Sequence, residues 1–408
     1  MVADAVRPVA RVPRNPLIAR VWVVTGVVAV ADFVFGATFV AFMQSHGLSG
    51  AVIGALLSIT GITSVFLEAP SGAWGDRHGH KRLVVVGLAL WGIGFVTFAF
   101  ADATPVFALG ILFWAAGLAI YSGAAVSLLI NTLKSVGHEH QGETAVRGAE
   151  TARWVAATIG AVIVAASAWA LSMQMSIMAS GLLLIGIAGW VLLRWPDSPS
   201  RSQSSVMRSL REGCAFLLAP SRRLLLVCTV LTSVDLAIVI LTWQPLALQV
   251  VGLDAHFLGL ALLVLSAAVA VGAISSRAAP WPPPVTACAS LLLLNGCLAL
   301  ASVGAVGASS AVIGAEFFLG ITLTTLAVWG QRLFPDRIRA TTTSVLGTIS
   351  GVAIAVTNAS MGQLWDGLGL QRAITVVATA MIATTVVVAT TSALASRRAR
   401  TSPLEGRP

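Results

Sequence analysis

Twelve stretches of this chain are long and apolar enough to cross a lipid bilayer, and a fold that holds them all has few alternatives. They lie roughly at 18–43, 50–74, 83–101, 105–132, 150–170, 174–194, 223–250, 256–277, 285–304, 309–334, 340–363 and 371–395. A helix rises about 1.5 Å per residue, so about 20 apolar residues span a hydrocarbon core about 30 Å thick. Only 10% of the 408 residues are charged, against about 25% in a soluble domain. A water-soluble fold of this size would lack the polar surface it needs. The Leu-, Val- and Ala-rich runs are too long and too weakly alternating for barrel strands. The expectation is an all-α polytopic membrane protein, its backbone polar groups satisfied within each helix.

The net charge of +9 sits in short segments between the apolar runs. Arg77, Lys81 and Arg82 follow span 2, and Lys134 and Arg147 follow span 4. Arg194 to Arg223 separate spans 6 and 7; Arg277 follows span 8; Arg332, Arg337 and Arg339 follow span 10. Of the 25 Lys and Arg, only Arg372 falls on the opposite side. Basic loops stay on the cytoplasmic side, so both termini are expected there, in a cell membrane. The same placement argues for anionic lipid and the insertion machinery, and against nucleic acid. The basic start (Arg7, Arg11, Arg14) leads into a run too long for a signal-peptide core, so a retained first helix is expected.

The longest polar interruption runs from Trp195 and opens Pro-Asp-Ser-Pro-Ser-Arg-Ser-Gln-Ser-Ser, a flexible composition. Within it Leu210, Cys214, Leu217 and Leu218 recur at helical spacing opposite Arg208 and Arg211, which predicts a short surface helix. The chain thus divides into a six-helix half at 1–194, a linker at 195–222 and a six-helix half at 223–408. The halves resemble each other. Gly47-Leu48-Ser49 and Gly54 match Gly252-Leu253-Asp254 and Gly259, and Asp32 and Asp235 each lie twelve residues after the arginine opening their run. Parallel repeats about an axis along the membrane normal are one transporter plan.

Asp32 and Asp235 fall roughly 18 Å in from their arginines, near the bilayer middle. A carboxylate at that depth is costly and marks a solute or ion pathway, unless it bonds to neighbouring helices. As a pair, the two are expected to couple proton uptake to release of a cationic solute. Glu68, in span 2, reads equally as a helix-bonded acid near a gate or as a proton carrier, and Glu316 lies in span 10.

After span 2 the chain reads Gly72-Ala73-Trp74-Gly75-Asp76-Arg77-His78-Gly79-His80-Lys81-Arg82. Glycines there give a tight helix turn its backbone freedom. This run resembles the G-x-x-x-D-R-x-G-x-K/R signature of the major facilitator superfamily, and the twelve spans and long central loop extend the resemblance over essentially the whole chain. The resemblance implies two pseudo-symmetric six-helix bundles, alternating access, and a loop that braces closure between the halves. That role falls to Gly72, Asp76, Arg77, Gly79 and Lys81. It also implies that spans 1, 4, 7 and 10 line the cavity, which brings Glu316 into one ionisable cluster with Asp32 and Asp235.

This chain departs from the family pattern in three places. The second copy of the loop is Arg277-Ala278-Ala279-Pro280-Trp281-Pro282-Pro283-Pro284, without an acid. Phe113 stands before Gly117 where many relatives have arginine. The fifth span, which in the family's drug antiporters often carries a Gly-Pro pair, has Gly160 and no proline.

Most tryptophans lie near span ends, where interface anchoring accounts for them. Trp114, Trp243 and Trp329, with Tyr121 and Gln244, are the cavity-lining candidates. Gln244-Pro245 adds an amide and a kink. An aromatic cavity with a buried acid suits an apolar or cationic organic solute. The cysteines form no CxxC pair, the histidines lie in loops or near span ends, and no phosphate-cradling loop occurs. No metal, cofactor or ATP is therefore expected. The function expected is proton-coupled efflux of a small organic solute by a monomeric antiporter. The alternatives are an importer or symporter of a metabolite and, from another class, a membrane sensor or enzyme. The last has no nucleophile–base pair to support it.

Overall fold

The structure is a computed structural model that describes residues 16–135, 137, 141–167, 169–196, 206–219, 222–334 and 339–401; within 69–78 it describes the backbone alone. Among the described residues there are helices and no strands. The first half contains α1 (Pro16–Gly36), α2 (Phe39–Ser45), α3 (Gly50–His78), α4 (His80–Ala99), α5 (Thr104–Ser135), α6 (Gly142–Ser167) and α7 (Met173–Arg194). A short helix, α8 (Val206–Leu218), follows. The second half contains α9 (Arg223–Pro245), α10 (Leu258–Ser275), α11 (Pro283–Ala299), α12 (Gly304–Leu333), α13 (Arg339–Leu368) and α14 (Leu370–Thr401). α1 and α2 together make one span, broken at Ala37-Thr38.

Eleven helical spans among the described residues are long and apolar enough to cross a membrane. The twelfth apolar helix, within α6, counts as a shorter one over Thr151–Ser167. Exposed apolar side chains such as Val155, Ile159, Val162 and Val271 cover the outside of the bundle, as a lipid-facing surface requires.

The two halves use one packing plan. α4 packs on α5 and α7 as α11 packs on α12 and α14, and α1 packs on α6 and α7 as α9 packs on α13 and α14. Two seams join the halves, α3 with α13 and α6 with α10. In the α3–α13 seam a Cβ on Gly54 would lie 2.2 Å from the Asn358 carbonyl oxygen, and one on Gly61 2.2 Å from that of Gly351. Only glycine permits that approach, and close backbone packing is what holds helices together where lipid removes the hydrophobic drive. The Ser58 hydroxyl adds a bond to the Ala355 carbonyl at 2.8 Å.

At the end away from the basic loops the halves also meet through polar contacts. Trp169 stacks on His256 with ring centroids 4.5 Å apart, and His256 donates its backbone N–H to Asp254 at 2.9 Å. Gln244, fully buried near the end of α9, reaches the break between α1 and α2. Its Nε2 donates to the Gly36 carbonyl at 2.9 Å, and its Oε1 accepts from the Ala41 N–H at 2.8 Å. These are backbone groups that the break leaves without helical partners.

Candidate functional site

A cavity of about 430 Å³ lies between the halves. Its ionisable lining residues are Asp32 of α1 and Glu316 of α12, one from each half. Phe35, Phe39, Trp114 and Trp243 supply aromatic walls, and Thr60, Ser266 and Asn358 supply polar ones. Phe35 stacks on Phe95 at 3.8 Å and meets Trp114 edge-on at 4.9 Å, so the aromatic wall is braced from behind. The Trp114 indole N–H and the Asn358 side-chain oxygen are buried without a hydrogen-bond partner.

A second chamber, about 320 Å³, lies within the first half and shares Asp32 and Leu118 with the first. It is lined by Thr25, Trp91, Tyr121, Ser122, Arg153 and Trp195, among apolar residues. Arg153 of α6 is near enough to Asp32 for their charges to act on each other. Trp91 is 2% exposed, and its indole N–H has no partner. Trp195 is fixed by its bond to the Thr132 hydroxyl at 3.1 Å. A third, apolar pocket of about 260 Å³ lies between α9, α10 and α12, and Trp243 separates it from the central cavity.

Of the four candidate acids, the structure brings together Asp32 and Glu316. Asp235 is elsewhere. It is fully buried inside the second half and accepts from Asn295 Nδ2 of α11 at 3.0 Å. It is on the wall of none of these three cavities. The reason is rotational. The first half lines the cavity with Asp32, Phe33, Gly36 and Phe39, and the second with Leu236, Ala237, Ile240 and Trp243. The spacing is the same, and it pairs Asp32 with Leu236. Asp235 is one residue earlier, about 100° around the helix, which turns it toward α11. The expected face-to-face aspartate pair is therefore replaced by Asp32 with Glu316.

Glu68 is half-buried in the α3–α13 seam, away from both chambers. Its carboxylate accepts from the Ser64 hydroxyl and lies against Gly347. Trp114 and Trp243 line the central cavity and Tyr121 the inner chamber, whereas Gln244 is spent on the α1–α2 break. Trp329 also departs from expectation. It is 9% exposed and packs in the interior of the second half with Leu225, Leu326 and Phe334. In the signature loop Gly79 adopts φ 96° at the start of α4, a conformation glycine accepts readily, and Lys81 follows in its first turn. Of Gly72, Asp76 and Arg77 only the backbone is described, within α3.

Arg153 and Asn358 escaped the sequence reading. A basic residue inside an apolar run was the available signal for Arg153. Asn358 gave none, since an amide in a helix is silent until its neighbours are known.

Two helical bundles around a shared, charge-bearing cavity define a membrane carrier of small solutes. The Major Facilitator Superfamily family model matches residues 21–358, and the chain belongs to that superfamily. It is a transporter, not an enzyme. Among solved structures it is similar to the nucleoside transporter NupG, with TM-score 0.76 at 15% identity, covering 92% of this chain and 99% of that one. It is similar also to a bacterial homologue of the human lysosomal transporter Spinster, inward-facing and unoccupied, with TM-score 0.70 at 17% identity over 95% and 98% of the two chains. A transporter of the POT family in complex with a thioalcohol-conjugated peptide gives TM-score 0.70 at 14% identity over 92% and 96%. At these identities the likeness concerns the fold. No curated protein matches the chain in sequence.

Proposed function

We propose that this transporter is a proton-coupled exporter of a small organic solute, with its basic loops and both termini in the cytoplasm of a cell that carries it in its surface membrane. The observation behind this reading is the meeting of Asp32 and Glu316, one from each half, in a single aromatic cavity. Carboxyl groups at that depth bind a proton or a cationic group, and competition between the two couples their movements. Because each acid rides on a different half, its exposure to either side changes as the halves rock. The signature loop would then bias which side is open, without touching solute.

The test is transport in everted and right-side-out vesicles with an imposed pH gradient. An exporter concentrates solute in everted vesicles with an acidic interior. Accumulation only in right-side-out vesicles, driven by acid outside, would make the protein an importer. Orientation is tested by cysteine labelling. A cysteine at exposed Ser45 should react from outside, and the native exposed Cys214 only after permeabilisation.

A further inference from the structure

We infer that the apolar pocket behind Trp243 is a tail subsite, so that the solute is a single-chain amphiphile. Its cationic head is held by the acids of the central cavity, and its hydrocarbon chain lodges in this pocket. This rests on the reading of the central cavity as the solute path and names the class of molecule that the two spaces fit together.

The pocket holds about 260 Å³ and adjoins the central cavity, with Trp243 and Leu265 on the walls of both. The same helices run from one space to the other. α12 gives Glu316 to the cavity and Val312 to the pocket. Those two are four residues apart, one helical turn or about 6 Å along the axis. A chain carried by an ammonium on Glu316 therefore reaches the pocket within a few methylenes, once Trp243 turns aside. Just beyond Trp243, after Pro245, the α-helix gives way to a π turn over Leu246–Val250, and Leu246 and Ala247 of that turn line the pocket. A widened turn of this kind is frequent at functional sites.

The lining selects hydrocarbon. Apart from the Trp243 indole, Ser309 is the polar side chain on the wall, and its hydroxyl donates to the Ala305 carbonyl at 3.0 Å. Water finds too few partners in such a space, whereas an apolar group fits it. A sugar or a charged group would leave its own polar atoms bare there. The far rim is formed by Phe257, Leu260, Val264 and Ile313, which are 41–48% exposed on the lipid-covered outside of the bundle. A chain longer than the pocket thus runs on into bilayer hydrocarbon and not into water. A lipid chain entering by that rim would fill the pocket alone and leave the acids unmatched. A solute with both parts fills the pocket and the cavity at once.

The experiment measures binding of propylamine, octylamine and the uncharged 1-octanol to the full-length protein in proteoliposomes, with protein-free liposomes subtracted. Wild type is compared with Ala261→Phe and Ala247→Leu, which fill the pocket from two different elements, so that one decides the matter if the other fails to fold. Each methylene that enters the pocket should tighten binding up to about fourfold. Octylamine should therefore bind wild type at least about tenfold more tightly than propylamine. Both fillings should remove that advantage and leave propylamine within about twofold of its wild-type affinity. Octanol should bind more weakly than octylamine, for want of the head. Comparing variants with one probe cancels partition into the bilayer, which depends on the probe alone. Four results would overturn the inference: octylamine unaffected by either filling, as expected if a lipid chain owns the pocket; an equal loss of both amines; octanol binding as tightly as octylamine; or binding of neither amine. If the fillings weaken octylamine alone but no pH gradient drives accumulation, the tail subsite stands and the proton-coupled reading falls.

Discussion

The first half meets the central cavity with a carboxylate, Asp32; the second half, at the corresponding place, meets it with Leu236. Both halves are folded by the same helix-to-helix packing, so the difference lies in how each helix is turned and not in the plan. The first half also holds a chamber of its own beneath Asp32, with Arg153 on its wall. The second spends its aspartate on an internal bond to Asn295. The repeated packing thus carries unlike linings: the first half gives the central cavity Asp32 and most of its aromatic wall, and the second gives it Glu316 and Trp243 and supplies the Gln244 clamp.

The sharpest way to break this comparison is to neutralise each aspartate in turn. Asp32→Asn should abolish gradient-driven accumulation while downhill exchange continues, a loss of at least about tenfold. Asp235→Asn, which keeps the shape and leaves a group able to bond Asn295, should retain accumulation within about twofold of wild type. Equal losses in reconstituted vesicles would restore the symmetric picture.

Next in size is the seam that both halves share. Gly61→Val places side-chain atoms where the Gly351 carbonyl already stands. It should lower transport severalfold and reduce detergent-extracted thermal stability, since overpacking costs about 1–3 kcal/mol. Normal turnover would mean that the seam opens freely.

The clamp comes third. Gln244→Leu leaves the Gly36 carbonyl and the Ala41 N–H bare, at about 1–3 kcal/mol for each buried group left unsatisfied. The far end should open more often, read as faster labelling of a cysteine at Thr60 from that side. Unchanged labelling would mean that the clamp carries no gate.

The smallest effect belongs to Asp254, which lies outside the spanning segments. Hydrogen bonds from the His256 backbone and ring hold its carboxyl below the usual value of 3.8. A lowered folded-state value means the contribution is fully present above pH 3.8 and is lost as pH falls through the lowered value. The melting temperatures of wild type and Asp254→Asn should therefore differ by a small constant amount at neutral pH and converge in acid. A gap that widens with acid would contradict the assignment.

Fold class was legible because it is written in run length, and run length is all a bilayer demands; of the twelve expected spans, eleven are of spanning length among the described residues and the one within α6 is shorter. Site membership was legible only where it did not depend on rotation. Depth placed Asp32 and Asp235 alike, yet one residue of offset turned the second away from the cavity. Trp329 failed for the same reason: it is on the right helix and faces inward, into its own bundle. Glu316 does line the cavity, because α12 borders it and the face that carries Glu316 is the one turned toward it. Gln244 was noticed as a polar cavity residue, but its true partners are backbone atoms freed by a break at Ala37-Thr38, and no pattern in the local sequence announces that break's need.

The clamp also bears on how the protein is made. The seven residues of α2 are too few to hold a helix by themselves, and the amide that completes their backbone bonding is 203 residues further along the chain. As the chain leaves the ribosome, the distal tip of its first span must wait, its bonding incomplete, until the second half has been threaded into the membrane. A first half expressed alone should insert and yet leave that tip frayed, whereas co-expression with the separate second half should mend it. The two halves are then successive clauses of one folding sentence, and the first is finished only by the second.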